Sequence, residues 1–420
     1  MKLTTDADFA YQMDAGDVLA PFRERFVITD PNLIYLDGNS LGRLPRPTIP
    51  AMADAIERGW GDRLIRLWND GWIDTPRVLG SKIAQLIGAQ PDEVVVTDST
   101  SINLFKLVVA ALRARPERLK MVSDRLNFPT DLYVLEGASD LLGRGHRLEL
   151  VDSQDSITIP EHDLQAAMDE QTALVSLTHV AYRSAFMYDM AQVTTWAHQA
   201  GALMLWDLSH SVGVVPLALN AWDVDLAVGC TYKYLNGGPG SPAFLYVRRD
   251  LQRELMQPIW GWFAAREPFA FELEFEPAPD IDRFRAGTAP MLSMKALEPA
   301  LDLLLEAGVD QVRAKSEQQT EYLIYLADRW LVPLGFTLGS PGEVERRGSH
   351  VSLRHPEAQR ISEALIEPTP PALRIIGDFR PPDNIRLGIA PLYNSFDEIR
   401  RAVARIRAVV EDRLYQDCSK

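Results

Sequence analysis

The chain has 420 residues, 46% of them apolar, which is enough for a large core and for a larger plus a smaller domain, and too much for a small binding module. A formal net charge of −15 argues against a broad nucleic-acid or other polyanion surface, while leaving room for one local cationic pocket. Two cysteines, Cys230 and Cys418, are too few for a disulfide framework and fit a reducing, cytoplasmic setting.

The N-terminal residues carry acids where a secretory signal needs an apolar stretch, and no run approaches the roughly 18 apolar residues of a membrane span. From about residue 90 to 250, short β-rich apolar runs alternate with amphipathic stretches of helical length. That pattern predicts an α/β fold, a mostly parallel seven-stranded sheet covered on both faces. Strands are expected at 93–97, 119–123, 146–151, 173–177, 202–207, 225–231 and 243–247, and helices at 102–113, 131–142, 161–169 and 190–200. Ligands of such sheets lie beyond the carboxyl ends of the strands, so the residues that follow each strand matter most. The segment 250–290 is irregular and rich in aromatics and prolines. One long helical stretch from 292 to about 330 then leads to strands near 336–338, 350–353 and 373–376 and helices near 356–366 and 396–413, a small α+β domain. The expected division is an N-terminal segment, 1–45, that packs with the small domain, a large domain, 46–310, and the small domain itself, 311–420.

Four features carry chemistry. Lys233 follows an apolar strand and precedes a glycine-rich turn (Asn-Gly-Gly-Pro-Gly, 236–240). A lysine at a strand's carboxyl end is placed to form an imine with an aldehyde cofactor, and partial burial makes it a better nucleophile and base; otherwise it is a surface lysine in a turn. Asp207 ends the apolar run 202–207 and is either a helix N-cap or a carboxylate awaiting a cationic partner. His210 lies three residues on, placed to orient Asp207 or to stack near a cofactor ring. The stretch Thr97-Asp-Ser-Thr-Ser-Ile-Asn103 leaves a valine-rich strand and opens a helix, so its hydroxyls and free N–H groups form either an anion site or an ordinary cap. Arg386 lies inside an apolar strand, where its fork can grip a substrate carboxylate or pair with an internal acid.

Seven segments in order along the chain resemble the kynureninase family of fold-type I pyridoxal-phosphate (PLP) enzymes, within the aspartate-aminotransferase superfamily. They are Tyr-Leu-Asp-Gly-Asn-Ser-Leu-Gly (35–42), Asn-Phe-Pro-Thr-Asp (127–131), Trp-Asp-Leu-Ser-His-Ser-Val-Gly (206–213), Tyr-Lys-Tyr-Leu-Asn-Gly-Gly-Pro-Gly (232–240), Gly-Trp-Phe (261–263), Phe-Arg-Ala-Gly-Thr (284–288) and Ile-Arg-Leu-Gly-Ile-Ala-Pro-Leu-Tyr-Asn-Ser-Phe (385–396). The resemblance implies that Lys233 is the imine lysine and that Asp207, helped by Asp131 and His210, holds the pyridinium nitrogen. It puts Thr100, Ser101, Tyr232, Trp262 and Thr288 around the phosphate, Phe128 on the ring and Thr178 among the cofactor contacts. Arg386 would bind the substrate carboxylate, Ser40 and Trp68 would line the substrate pocket, and Tyr232 would be an acid/base partner. No metal is implied.

The implied reaction is hydrolysis of L-kynurenine, or its 3-hydroxy form, to anthranilate and L-alanine by retro-Claisen cleavage, in tryptophan catabolism. A homodimer is implied too, with Trp262 and Thr288 reaching the partner's cofactor. Arg346, Arg347 and His350 have no place in this scheme. The rivals are an aminotransferase or cysteine desulfurase of the same fold, a non-catalytic relative, and a nucleotide-binding protein. A desulfurase needs a mobile cysteine, whereas Cys230 lies in an apolar run and Cys418 near the end. A non-catalytic relative would be expected to lack Lys233 or Arg386, and no Gly-x-Gly-x-x-Gly follows the first strand.

Overall fold

The computed structural model describes residues 2–368 and 372–417, so Cys418 lies outside the described residues. The chain opens with helix α1 (Ala7–Ala15) and a short strand, β1 (Leu33–Tyr35). The seven expected strands follow as β2 (Val94–Val96), β3 (Lys120–Asp124), β4 (Arg147–Val151), β5 (Thr172–Thr178), β6 (Leu203–Asp207), β7 (Leu226–Gly229) and β8 (Phe244–Val247). They form one sheet in the order β2-β8-β7-β6-β5-β3-β4. Only β8 runs against its neighbours, so the carboxyl ends of the other six share one edge.

Period-two alternation gives the sheet its two apolar faces. Val95, Leu203, Leu205, Leu226, Val228 and Leu245 pack with Leu104, Leu107, Val108 and Leu112 of the helix Thr100–Ala114. Val94, Val96, Met204, Trp206, Ala227, Phe244 and Tyr246 face the opposite core. The expected helical stretch after 290 is two helices, Met291–Ala307 and Val309–Trp330. Gly308 breaks it at φ 76°, a conformation that a residue with a Cβ rarely adopts.

The C-terminal part contains β9 (Thr337–Leu338), β10 (His350–Arg354), β11 (Arg374–Ile376), β12 (Asp378–Arg380) and β13 (Asn384–Gly388). Four of them make an antiparallel sheet, β12-β13-β10-β9, backed by helices Ala358–Ile366 and Phe396–Glu411. The β12 strand has no counterpart in the sequence reading. Residues near the N-terminus pack on this part: Phe9 and Ala10 join its core, and β1 pairs in parallel with β11. Asp14 accepts the backbone N–H groups of Phe396 (2.7 Å) and Asp397 (3.0 Å) at the start of the last helix. The buried pair Lys315–Asp17 (2.6 Å) and the bidentate pair Arg23–Glu398 (2.6 and 2.9 Å) add further ties. These contacts bring residues 37–41 beside β13, where Asp37 bridges to Gly388. A Cβ on Gly388 would collide with the Asn39 side chain, so this close approach requires glycine.

Candidate active site

The shared edge of the sheet opens into a cavity of about 220 Å³. Its floor comes from β6 and β7. Asp207 is the last residue of β6, and its Oδ1 accepts the Ser209 N–H at 2.8 Å, so it caps a turn and no helix. Ser209 Oγ in turn accepts the Cys230 N–H at 3.1 Å, which ties this turn to the end of β7. The β7 strand ends at Gly229, so Lys233 stands four residues further on, in the turn that follows and not in the strand. That turn is pinned by Thr231 Oγ1, which reaches Ser241 Oγ and Pro242 O at 2.6 Å each, and by Gly42 N donating to Tyr232 O at 2.8 Å. A Cβ on Gly237 would lie 2.5 Å from Ser241 Oγ, so the turn closes only over glycine.

Lys233 Nζ lies 3.2 Å from His210 Nε2. Burial, then the charges of Lys233 and Arg386, hold the His210 imidazole well below its usual range, so a neutral Nε2 is available to accept a Lys233 hydrogen. Asp131, in the first turn of the helix Pro129–Leu142, faces Asp207. Burial, then the Asp207 charge, push its carboxyl well above the ordinary range, with the Lys233 charge opposing them. Beneath them Asp124, the last residue of β3, accepts the Tyr188 hydroxyl at 2.8 Å, and burial raises it to about 6. The charge of Cys230, then burial and Asp207, keep the Tyr232 phenol above its usual range.

The far wall is the start of the helix Thr100–Ala114, with Thr100 and Ser101 lining the cavity and Ser99 capping the helix. A fifteen-residue helix directs its dipole and free N–H groups there, a fitting seat for a phosphate. Phe128 forms a side wall, edge-on to Tyr182 with ring centroids 5.2 Å apart. The rim belongs to residues 37–41 and the small sheet. Arg386 donates to Tyr182 O (2.7 Å), Ser40 Oγ (2.6 Å) and Asp378 Oδ2 (2.6 Å), and Asp378 Oδ2 also meets Arg380 Nη2 at 2.6 Å. The sequence left open whether Arg386 pairs with an internal acid; it does. Burial also raises the neighbouring Asp37 to about 6.

Ser40, Thr100, Ser101, Phe128, Asp131, Asp207, His210, Tyr232, Lys233 and Arg386 therefore surround one cavity. Four other sequence candidates do not line it. Thr178, paired with Asp207 across β5 and β6, is buried with its hydroxyl on Val180 O at 3.3 Å. Trp68 packs against Trp72 and Phe263. Trp262 lies on Phe263 and Phe271, while Thr288 lines an adjoining cavity that also borders Ser40 and Tyr232. Of the residues without a place in the sequence reading, His350 comes within 5.8 Å of His210 between ring centroids. Arg346 reaches Glu161 (3.7 Å), and Arg347 is buried on Thr320 Oγ1 (3.2 Å). The sequence reading missed Asn39, Thr130, Tyr182, Ser209, Asp378 and Arg380. Asn39, Thr130 and Ser209 lie within the quoted segments, but Asp378, Arg380 and Tyr182 carry no local signature.

These residues fit PLP. A protonated ring nitrogen would give the buried Asp131–Asp207 pair a cationic partner, the helix start suits the phosphate, and Lys233 lines the same cavity with an amine that can form an imine with the aldehyde.

Two family descriptions match the chain: Aminotransferase class-V over residues 34–334 and Kynureninase C-terminal domain over residues 312–406. Relatives named kynureninase from Burkholderia mallei (strain SAVP1) and Pseudomonas fluorescens are each 44% identical, covering 96% and 95% of this chain and 95% and 94% of their own. Among solved structures, the apo cysteine desulfurase of Thermococcus onnurineus NA1 superposes with a TM-score of 0.74 at 17% identity, over 98% of this chain and 99% of its own. The cystine C-S lyase C-DES, in complex with cysteine persulfide, does so with a TM-score of 0.76 at 18% identity, over 89% and 97%. At such identities the likeness is one of fold, and Cys230 here is buried. The extensive sequence match decides between these relatives: the chain belongs to the kynureninase family, fold-type I PLP enzymes that hydrolyse a carbon–carbon bond.

Proposed function

We propose that the chain hydrolyses L-kynurenine, or its 3-hydroxy form, to anthranilate and L-alanine in tryptophan catabolism. The observation that carries this reading is the convergence of Lys233, the Asp131–Asp207 pair and Arg386 on one small cavity. Bound PLP supplies an electron sink for charge developing at the substrate's Cα and Cβ.

The protein's residues do the rest. Arg386 and Ser40 fix the α-carboxylate so that the Cα–H points at Lys233 Nζ, which takes that proton. Neutral His210 accepts a hydrogen from the same nitrogen and steadies it. Asp207, with Asp131 behind it, keeps the ring nitrogen protonated. Phe128 covers the ring. Tyr232, kept as a phenol, is the proton donor when water adds to the γ-carbonyl and the Cβ–Cγ bond breaks, leaving the aryl acid on one side and a three-carbon amino acid on the other.

The same reading includes a cytoplasmic homodimer with shared sites, in which Trp262 and Thr288 act on the partner's cofactor. Its support is the exposed apolar loop: Leu273 is fully exposed, and Phe271, Trp260 and Phe269 are more than half exposed. Among the described residues no helix is long and apolar enough to cross a membrane. Residues 1–45 are taken as a segment that serves the small domain (311–420), with 46–310 as the cofactor domain; the pairing of β1 with β11 supports that division.

Incubating the PLP-loaded enzyme with L-kynurenine should release anthranilate and L-alanine in equal amounts. A keto-acid product with transfer of the amino group, or sulfur release from cysteine, would overturn the reading.

A further inference from the structure

Arg386 has five N–H groups to satisfy and is almost fully buried, 1% exposed. With the Asn39 amide turned so that its nitrogen donates to Asp37 Oδ1 (3.3 Å), its oxygen accepts from Arg386 Nε at 3.1 Å. Nη1 donates to Tyr182 O, a backbone group that cannot move aside. Nη2 donates to both Ser40 Oγ and Asp378 Oδ2. Both hydrogens of Nη2 are thus committed. A substrate carboxylate that takes the usual two-pronged hold on a guanidinium must displace one of these partners.

Asp378 is the partner able to leave. Its Oδ2 is shared with Arg380 Nη2 at the same 2.6 Å, so letting go of Arg386 still leaves it paired. It is also partly open to solvent, 21% exposed beside an Arg380 that is 32% exposed, and both are on the edge strand β12. Arg380 itself lines the cavity and lies over the Tyr182 ring, 5.8 Å from its centroid.

We propose that Asp378 is an internal stand-in for the substrate's α-carboxylate, held by Arg386 while the site is free and handed to Arg380 when substrate enters. The exchange rests on the assignment of Arg386 to that carboxylate. Two consequences follow from charge. In the free enzyme Asp378, at 2.6 Å, is the nearer of two carboxylates, with Asp37 at 3.6 Å, that compensate a buried guanidinium which would otherwise be strongly destabilising. On binding, an incoming acid gains only the difference between its own contact and the one it displaces, so a bare carboxylate gains little. A substrate whose amine and aryl ketone are also held gains enough. Asp378 therefore sets specificity by exclusion, a competing contact built into the site.

The test uses the PLP-loaded enzyme, L-kynurenine as substrate and acetate as competitor. Asp378→Asn should tighten acetate inhibition by about tenfold and lower KM, since a neutral amide competes poorly for a guanidinium. Arg380→Gln should move both the other way, because Asp378 then has Arg386 as its only cation. An acetate inhibition constant that rises or stays put in Asp378→Asn, or falls in Arg380→Gln, overturns the exchange. Arg386→Gln separates the two claims: it should abolish competition by acetate. If it does not, the assignment of Arg386 to the carboxylate has failed, whatever Asp378 does.

Discussion

Asp207 and Lys233, on the floor of the cavity, stand at and just beyond the carboxyl ends of neighbouring strands of one sheet, whereas Arg386, on the rim, is bonded to residues 204 and 346 positions away in the chain. The floor is kept in place by backbone. Strand ends, an Asx turn at Asp207 and a glycine turn after Lys233 fix it locally, and its polar groups are tuned mainly by burial. The rim is kept in place by charge. Two arginines and two aspartates from β12, β13 and the 37–41 loop neutralise one another. On the proposed roles, the proton transfers fall to residues fixed by backbone geometry, and selection of an anionic substrate falls to residues whose ion pairs offer an exchange.

The largest effect should come from breaking the floor at its nucleophile. Lys233→Ala is expected to lower turnover roughly 10⁴-fold or more, as one nitrogen is lost both as cofactor anchor and as proton carrier. Borohydride treatment should no longer fix the cofactor to the chain, and labelling of a different lysine in the unaltered enzyme would move the anchor elsewhere. Asp207→Asn should follow, costing on the order of 10³-fold, because an amide cannot keep the ring nitrogen protonated. The same change removes the charge that raises Asp131, whose carboxyl should then ionise at lower pH. Near-normal activity in Asp207→Asn would take it out of the mechanism.

The rim should respond in binding more than in rate. Arg386→Lys is expected to raise KM about 10–100-fold, since an ammonium cannot reproduce the fork and leaves Tyr182 O and Asn39 short of donors. An unchanged KM would reduce Arg386 to a structural ion pair with Asp378.

The floor was legible in the sequence because it is built at strand ends. Lys233, Asp207 and Thr100 each follow a run of β-forming apolar residues, and such runs announce both the strand and its end. The rim was legible only at Arg386, an arginine out of place in an apolar strand. Its partners Asp378 and Arg380 occupy a three-residue strand next to two prolines, and Tyr182 contributes a backbone oxygen for which side-chain identity is irrelevant. The break at Gly308 escaped because one glycine within a long amphipathic pattern reads as a tolerated interruption, and only its positive φ shows a new helix beginning.

The smallest effect concerns the layer beneath the floor and asks whether burial does there what ion pairing does at the rim. Asp124 is fully buried, receives the Tyr188 hydroxyl and the Leu126 N–H (2.6 Å), and makes no ion pair among the described residues. Burial lifts its carboxyl from 3.8 to about 6. Because the folded value is above the unfolded one, the neutral form is favoured by folding: its contribution is complete below about pH 4 and is lost as pH rises through about 6. Asp124→Asn keeps an acceptor oxygen for the Leu126 N–H, turns its amide nitrogen to the Tyr188 hydroxyl oxygen as a donor, and never ionises. Measured against the unaltered protein, this variant should therefore gain up to ~2–3 kcal/mol between pH 4 and pH 7.5, with groups common to both proteins cancelling. Denaturation midpoints at the two pH values decide it. A stability difference that does not change with pH would mean that Asp124 is ionised throughout, and that the floor, like the rim, is stabilised by compensated charge.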